Sequence, residues 1–255
     1  MLLARTDMDA TKHDGLSYFI IDMKQTGVET QPLKQMNGYA SFNQVFLTDA
    51  EVLPDFQVAE LGDGWKVATT TLMHERRAAD SLRAWGQVPD TDGPIYDQER
   101  AEVETTMAPY KWYPQRAGRV DLIMQRAKET GAIKDPAVRQ EIAKLMTLHK
   151  SAEWTARRAR SAQEQGKPQG PEGSLGKLAA SNVARAAAKV HTMISGADSM
   201  LSGDDSPENG TVAEVLISFP ASSIAGGTDE IQKNILGERV LGLPKEPNPD
   251  SNGSI

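Results

Sequence analysis

At Pro54 the hydrophobic rhythm of the chain changes from that of strands to that of helices, and this switch restricts the fold more than any other feature. Upstream, short apolar or alternating runs are separated by turn residues. Leu2-Leu3-Ala4-Arg5 opens the chain without a turn before it, as if cut from a longer sheet. Tyr18-Phe19-Ile20-Ile21-Asp22-Met23 follows a turn at Gly15, and Val28-Glu29-Thr30-Gln31-Pro32-Leu33 follows Gln25-Thr26-Gly27. Ser41-Phe42-Asn43-Gln44-Val45-Phe46-Leu47 comes after Asn37-Gly38, and Glu51-Val52-Leu53-Pro54 is a further candidate. Runs of this length, rich in β-branched and aromatic residues and bounded by Gly, Asn or Pro, predict strands.

Beyond Pro54 apolar residues recur every three to four positions, the period of a helix with one buried face. Asp63-Gly64-Trp65 opens a long helix that runs to about Ala84, and the Pro-, Gly- and Asp-rich segment 88–94 breaks it. Helices are expected over 96–107 and 114–130, the second with Val120, Ile123, Met124 and Ala127 on one face. Pro136 stands at the start of the next, where a missing N–H costs least, and its face carries Val138, Ile142, Leu145, Leu148, Ala152 and Ala156. After a Gly- and Pro-rich loop over 165–173, Ser174 is a candidate N-cap. The helix it opens has the stripe Leu175, Leu178, Asn182, Ala186, Val190, Met193, Ala197 and Leu201. A short element over 212–217 precedes a last helix from Thr228 to Val240, ended near Gly242 and Pro244. The pattern predicts a mainly helical protein: a β fragment followed by four to six helices.

Composition removes several function classes. The chain of 255 residues has no cysteine, so disulfides, thiolate nucleophiles and Cys-ligated metals are excluded. A net charge of -7 argues against non-specific nucleic-acid binding, which needs a basic footprint. No run approaches the roughly eighteen consecutive apolar residues of a membrane span, and the start is too polar for a signal peptide, so the cytoplasm is the expected compartment.

Three stretches resemble the acyl-CoA dehydrogenase family. Leu2-Leu3-Ala4-Arg5-Thr6-Asp7, Gly15-Leu16-Ser17-Tyr18-Phe19-Ile20-Ile21-Asp22 and Phe42-Asn43-Gln44-Val45-Phe46-Leu47 are similar to the second half of the family's middle β domain. Leu61-Gly62-Asp63-Gly64-Trp65, leading to Leu72-Met73-His74-Glu75-Arg76, resembles the entry to the first C-terminal helix. The most specific match is Gly226-Gly227-Thr228-Asp229-Glu230-Ile231-Gln232-Lys233-Asn234-Ile235-Leu236-Gly237-Glu238-Arg239, which resembles the closing signature. The resemblance implies a partial β-barrel or sheet remnant over residues 1–57, a C-terminal four-helix-bundle domain over 58–245 and a polar tail over 246–255. It has no counterpart for the family's N-terminal domain or first β strands.

The implied reaction is α,β-dehydrogenation of an acyl-CoA thioester in fatty acid β-oxidation, with hydride transfer to FAD. A carboxylate must remove the α proton, and donors must hold the thioester oxygen. Many members place the base immediately before the Gly-Thr of the closing signature, where this chain has Gly226. A second subgroup, with isovaleryl- and long-chain-type enzymes, places it on the first C-terminal helix in a Glu-Arg pair. Glu75-Arg76 matches, so Glu75 is the expected base, with Arg76 fixing the helix or touching substrate. The resemblance also implies that the Gly226 N–H donates to the thioester carbonyl and that Gly227 admits the substrate. Thr228, Glu230 and Arg139 are the implied flavin contacts, at a helix start suited to anionic groups. Electron-transferring flavoprotein is the implied acceptor, the assembly a homo- or hetero-oligomer, and no metal is expected. A non-catalytic partner subunit and an inactive truncated chain with an exposed sheet edge stay open as alternatives.

Overall fold

The computed structural model describes residues 1–85, 91–168 and 170–245, without the side chains of residues 76–85 and Pro109. It comprises two compact units, Met1–Tyr110 and Lys111–Ile255. The protein is mostly helical with small sheets, and no closed barrel forms among the described residues. No helix among them is long and apolar enough to cross a membrane.

In the first unit, β1 (Leu2–Arg5) pairs antiparallel with β2 (Leu16–Phe19), Leu2 opposite Phe19 and Arg5 opposite Leu16. A hairpin of β3 (Val28–Leu33) and β4 (Phe42–Leu47) makes a separate two-stranded sheet. Leu33, Phe42, Val45, Phe46 and Leu47 on it are all exposed. Two expectations shift here. The strand expected over 18–23 begins two residues earlier and ends at Phe19. After Phe19 the chain turns, the Asp22 carboxylate accepting from the Lys24 amide. Glu51-Val52-Leu53-Pro54 is not a strand. Pro54 has no N–H to give a ladder and instead opens a 3-10 turn over Pro54–Phe56, and the two-residue β5 (Gln57–Val58) pairs with β2. The buried Ser17 hydroxyl contacts Thr6 Oγ1 (2.6 Å) and accepts from the Gly62 amide (3.0 Å). That ties the sheet to the entry of α1 (Gly64–Trp85). The helix α2 (Pro94–Met107) completes the unit.

The second unit is helical. The expected helix over 114–130 is split into α3 (Tyr113–Arg116) and α4 (Val120–Glu129). Gly118 (φ +94°) and Arg119 (φ +42°) are left-handed and cannot continue a helix. α5 (Pro136–Glu164) starts as expected at Pro136, with Asp135 as N-cap accepting from the Ala137 amide. α6 (Glu172–Ser195) starts two residues before Ser174, which is therefore inside the helix and not its cap. A Glu141–Lys189 ion pair (2.8 Å) joins the start of α5 to the end of α6 and sets them antiparallel. Their shared core is Ile123 and Ala127 of α4, Val138, Ile142 and Leu145 of α5, and Val183, Ala187, Val190 and Ile194 of α6. The predicted stripes are only partly used. Asn182 is exposed because α6 turns Ser181, Ala184, Ala187 and Ala188 inward, and Ala197 and Leu201 are exposed beyond the end of the helix at Ser195. Leu148 and Ala156 on α5 and Met124 on α4 also face out. Finally, α7 (Thr211–Ser218) and α8 (Asp229–Arg239) pack on α6.

His191, fully buried on α6, ties the α3–α4 corner down. Arg126 donates to its Nδ1 (2.9 Å), so the ring proton sits on Nε2 and points at the carbonyls of Gly118 (3.1 Å) and Arg119 (3.2 Å). Burial, then the Arg126 charge, pushes the His191 pKa down. The fold therefore holds His191 neutral, and stability falls as pH drops below the ordinary histidine value of 6.5. Urea midpoints taken from pH 7.5 to pH 5 should decline more steeply for wild type than for His191→Gln. At the same corner, a Cβ on Gly118 would lie 2.7 Å from Ala187 Cβ and 3.1 Å from Ala184 Cα. Gly118→Ala is expected to cost about 2–4 kcal/mol in urea unfolding, from backbone strain plus overpacking.

Candidate functional site

The closing stretch forms a short strap, residues 224–228, that runs into the N-terminus of α8. Gly226 (φ +73°) and Gly227 (φ +93°) both take left-handed conformations that glycine adopts without strain. Space alone would admit a side chain at Gly226, since a Cβ there would meet only Lys177 Cε, at 4.0 Å. The Gln232 side-chain amide donates to the Gly226 carbonyl (3.2 Å). Thr228 is the N-cap of α8, its hydroxyl oxygen accepting from the Ile231 amide (3.3 Å), as expected for this residue at a helix start. Among the described residues, the amides of Gly226 and Gly227 have no acceptor. The strap thus presents backbone N–H groups next to the positive end of a helix dipole.

Behind the strap lies a charged cluster that the sequence reading passed over. Asp229, 6% exposed, receives Lys177 Nζ (3.3 Å) and Arg185 Nη2 (3.1 Å) on separate oxygens. Lys177 also donates to the Ser222 carbonyl (2.5 Å) and to Ser181 Oγ (3.1 Å). Ser181 donates to the same carbonyl (2.8 Å), and Arg185 donates to Ser223 Oγ (2.9 Å). Burial pushes the Asp229 carboxyl up, but the nearby Ser181 hydroxyl, the hydrogen bonds from Arg185 and Lys177 and the Lys177 charge outweigh it and hold the pKa at about 2. A signal for this cluster was available. Lys177, Ser181 and Arg185 are spaced four apart, one polar line along an otherwise alanine-rich helix.

The other expected site residues lie on α8, α5 and α1. Glu230 is exposed in the first turn of α8. Arg139 is exposed on α5, and its guanidinium donates to the carbonyls of Ile133 (3.1 Å) and Lys134 (2.7 Å). Glu75 is exposed on α1 in the first unit, and the Arg76 side chain lies outside the described residues. Among the described residues, no three His, Asp or Glu side chains gather closely enough to hold a metal ion.

Comparison with known proteins gives this arrangement a family. Residues 116–241 match the model for the acyl-CoA dehydrogenase C-terminal domain. The chain is 30% identical over 251 residues to acyl-CoA dehydrogenase IpdE1 of Mycobacterium tuberculosis, covering 96% of this chain and 55% of that protein. It is 32% identical over 243 residues to acyl-CoA dehydrogenase FadE34 of the same organism, covering 95% of this chain and 29% of that one. The chain belongs to the acyl-CoA dehydrogenase family. Its fold is also that of solved acyl-CoA dehydrogenases. A Tcur3481–Tcur3483 steroid ACAD superimposes with a TM-score of 0.71 at 20% identity, over 96% of this chain and 56% of that one. A glutaryl-coenzyme A dehydrogenase in complex with glutaryl-CoA gives 0.64 at 20% identity, over 95% and 54%. The chain spans about half the length of IpdE1 and less of FadE34.

Because the Asp229 pKa lies below its ordinary value, the cluster stabilises the acyl-CoA dehydrogenase fold above pH 3.8 and stops doing so as pH falls through about 2. Asp229→Asn should lower unfolding free energy by about 1–3 kcal/mol at neutral pH, since Lys177 loses its counter-charge. In urea titrations that gap should close between pH 4 and pH 2, and a gap unchanged at pH 2 would contradict this account of the carboxylate.

Proposed function

We propose that this chain contributes to an FAD-dependent acyl-CoA dehydrogenase site that oxidises an acyl-CoA thioester at its α and β carbons. The observation that carries the reading is the Gly226-Gly227-Thr228 strap, whose open amides stand at the start of α8. The residues present fit a flavin. The α8 N-terminus suits an anionic group, the Thr228 hydroxyl proton stays free to donate while its oxygen caps the helix, and the Glu230 carboxylate can accept from a hydroxyl. Arg139 is a further contact, using the donors that Ile133 and Lys134 leave spare. Bound FAD would supply the hydride acceptor.

The protein's part is to position and to move one proton. The Gly226 amide donates to the thioester oxygen, where negative charge builds as the α carbon loses its proton. Gly227 leaves room for the substrate to approach. Glu75 takes that proton, since Gly226 occupies the alternative base position and has no side chain. Arg76, next to the base, orients the helix or the substrate. The surrounding four-helix packing, the pairing with acyl-CoA and an electron-transferring flavoprotein as acceptor complete the reading. Assembly with further copies or a different subunit has a specific support. The apolar side chains of the β3–β4 hairpin are exposed, and the ChsE4–ChsE5 complex from Mycobacterium tuberculosis shares this fold at 20% identity.

Titration of the purified chain with FAD should produce a protein-bound flavin spectrum, and an acyl-CoA substrate should bleach it with dye reduction as the readout. Glu75→Gln should keep the bound flavin and lose roughly 10²–10⁴-fold in turnover, the range for a removed general base. A chain that stays colourless with FAD, or a Glu75→Gln variant of full activity, would refute this assignment.

A further inference from the structure

We infer that Lys177, assisted by Ser181, Arg185 and Asp229, is a positioning residue that fixes the amide-presenting strap before any ligand arrives. The inference rests on the proposed function for its ligand, but its structural part stands on the geometry alone. Two consecutive left-handed glycines make residues 224–228 costly to order, because glycine loses more backbone freedom than any other residue. Order therefore has to come from the ends of the strap. The upstream end is held at Ser222, whose carbonyl accepts from Lys177 (2.5 Å) and Ser181 (2.8 Å) and whose hydroxyl donates to the Arg116 carbonyl (2.7 Å). Ser223 adds the Arg185 contact. The downstream end is held at Asp229, one oxygen to Lys177 and the other to Arg185.

Arg185 spans Ser223 and Asp229, and Lys177 likewise reaches both ends. Its ammonium bridges the Ser222 carbonyl and the Asp229 carboxylate, and its Cε lies nearest to any side chain placed on Gly226. With both anchors on one line of α6, the strap cannot shift without breaking charge-assisted bonds, which are about twice as strong as neutral ones. Donors held in this way need no reorganisation when negative charge develops on a ligand. Neither the ammonium nor the Asp229 carboxylate is itself offered to the ligand, since both are occupied. Their contribution runs through the backbone they hold.

Hydrogen exchange and FAD titration on the full chain separate this role from a merely structural one. Lys177→Met keeps the aliphatic stem and removes the charge, while Lys177→Arg keeps the charge. In Lys177→Met, exchange over residues 224–228 should accelerate about tenfold or more with protection over 138–145 unchanged, and the FAD dissociation constant should rise by a similar factor. Lys177→Arg should recover most of both effects. Asp229→Asn, which preserves volume, should reproduce the Lys177→Met pattern and serves if that variant fails to fold. Exchange over 224–228 equal to wild type, or altered only in step with 138–145, would overturn the inference. If wild type binds no FAD, the proposed function fails, while the exchange pattern still decides whether Lys177 holds the strap.

Discussion

Everything in the second unit depends on α6 presenting small side chains inward. Ser181, Ala184, Ala187 and Ala188 are buried and project no further than a methyl or hydroxymethyl group. Neighbouring backbone can then come close, and it does. The Gly118 corner sits against Ala184 and Ala187 with no room for a Cβ. α4 and α5 close the apolar side of α6 through Ile123, Ile142 and Leu145, and α7 and α8 pack on it as well. Close packing makes such a surface intolerant of added volume. It also explains why one helix can position both the core and the strap.

The two ends of α6 solve the same electrostatic problem differently. Burying a charge is costly unless it is paired and hydrogen-bonded. Toward the C-terminal end, Arg126 is 4% exposed and spends its donors on neutral His191, on Ser195 (2.5 Å) and on Glu208 (3.4 Å). Burial lowers its pKa, and the charges of Glu208 and Glu129 oppose that. Toward the N-terminal end the buried ion is an anion, Asp229, with a cation on each oxygen. The first network locks a helix corner in the protein interior. The second lies under a surface loop whose outward side is left open, and that asymmetry is what makes the strap a candidate site and the corner a brace.

Much of this was legible in the sequence where period and end signals agreed. Pro136 opened α5, Gly64 opened α1 and Thr228 capped α8, because each residue type fits one backbone position well. Legibility failed where tertiary contact overrode local signals. Ser174 is a good N-cap by type, yet Pro171 takes that place and the helix begins two residues earlier. Glu51-Val52-Leu53 alternates like a strand, but the proline behind it and the pairing demand of β2 moved the ladder to Gln57–Val58. The helical stripe on α6 was read by size, favouring Leu and Met, whereas the buried face was chosen by smallness. For the site, the signature residues stood out by resemblance, while Lys177 and Arg185 looked like ordinary helix cations. Only the fold shows that they converge on one carboxylate about fifty residues away in the chain.

The conformation of Gly226 bears on where the proposed base must reside. A residue with a side chain at φ +73° is strained by roughly 1–2 kcal/mol, so a carboxylate in this backbone would have to change the strap that carries it. The strap as built is instead stabilised around glycine, with Gln232 on the Gly226 carbonyl and Lys177 beside the open space. In the proposed mechanism the position therefore keeps only its backbone donor, and proton removal passes to a residue on another element. Glu75 is the candidate that the Glu-Arg pair supplies.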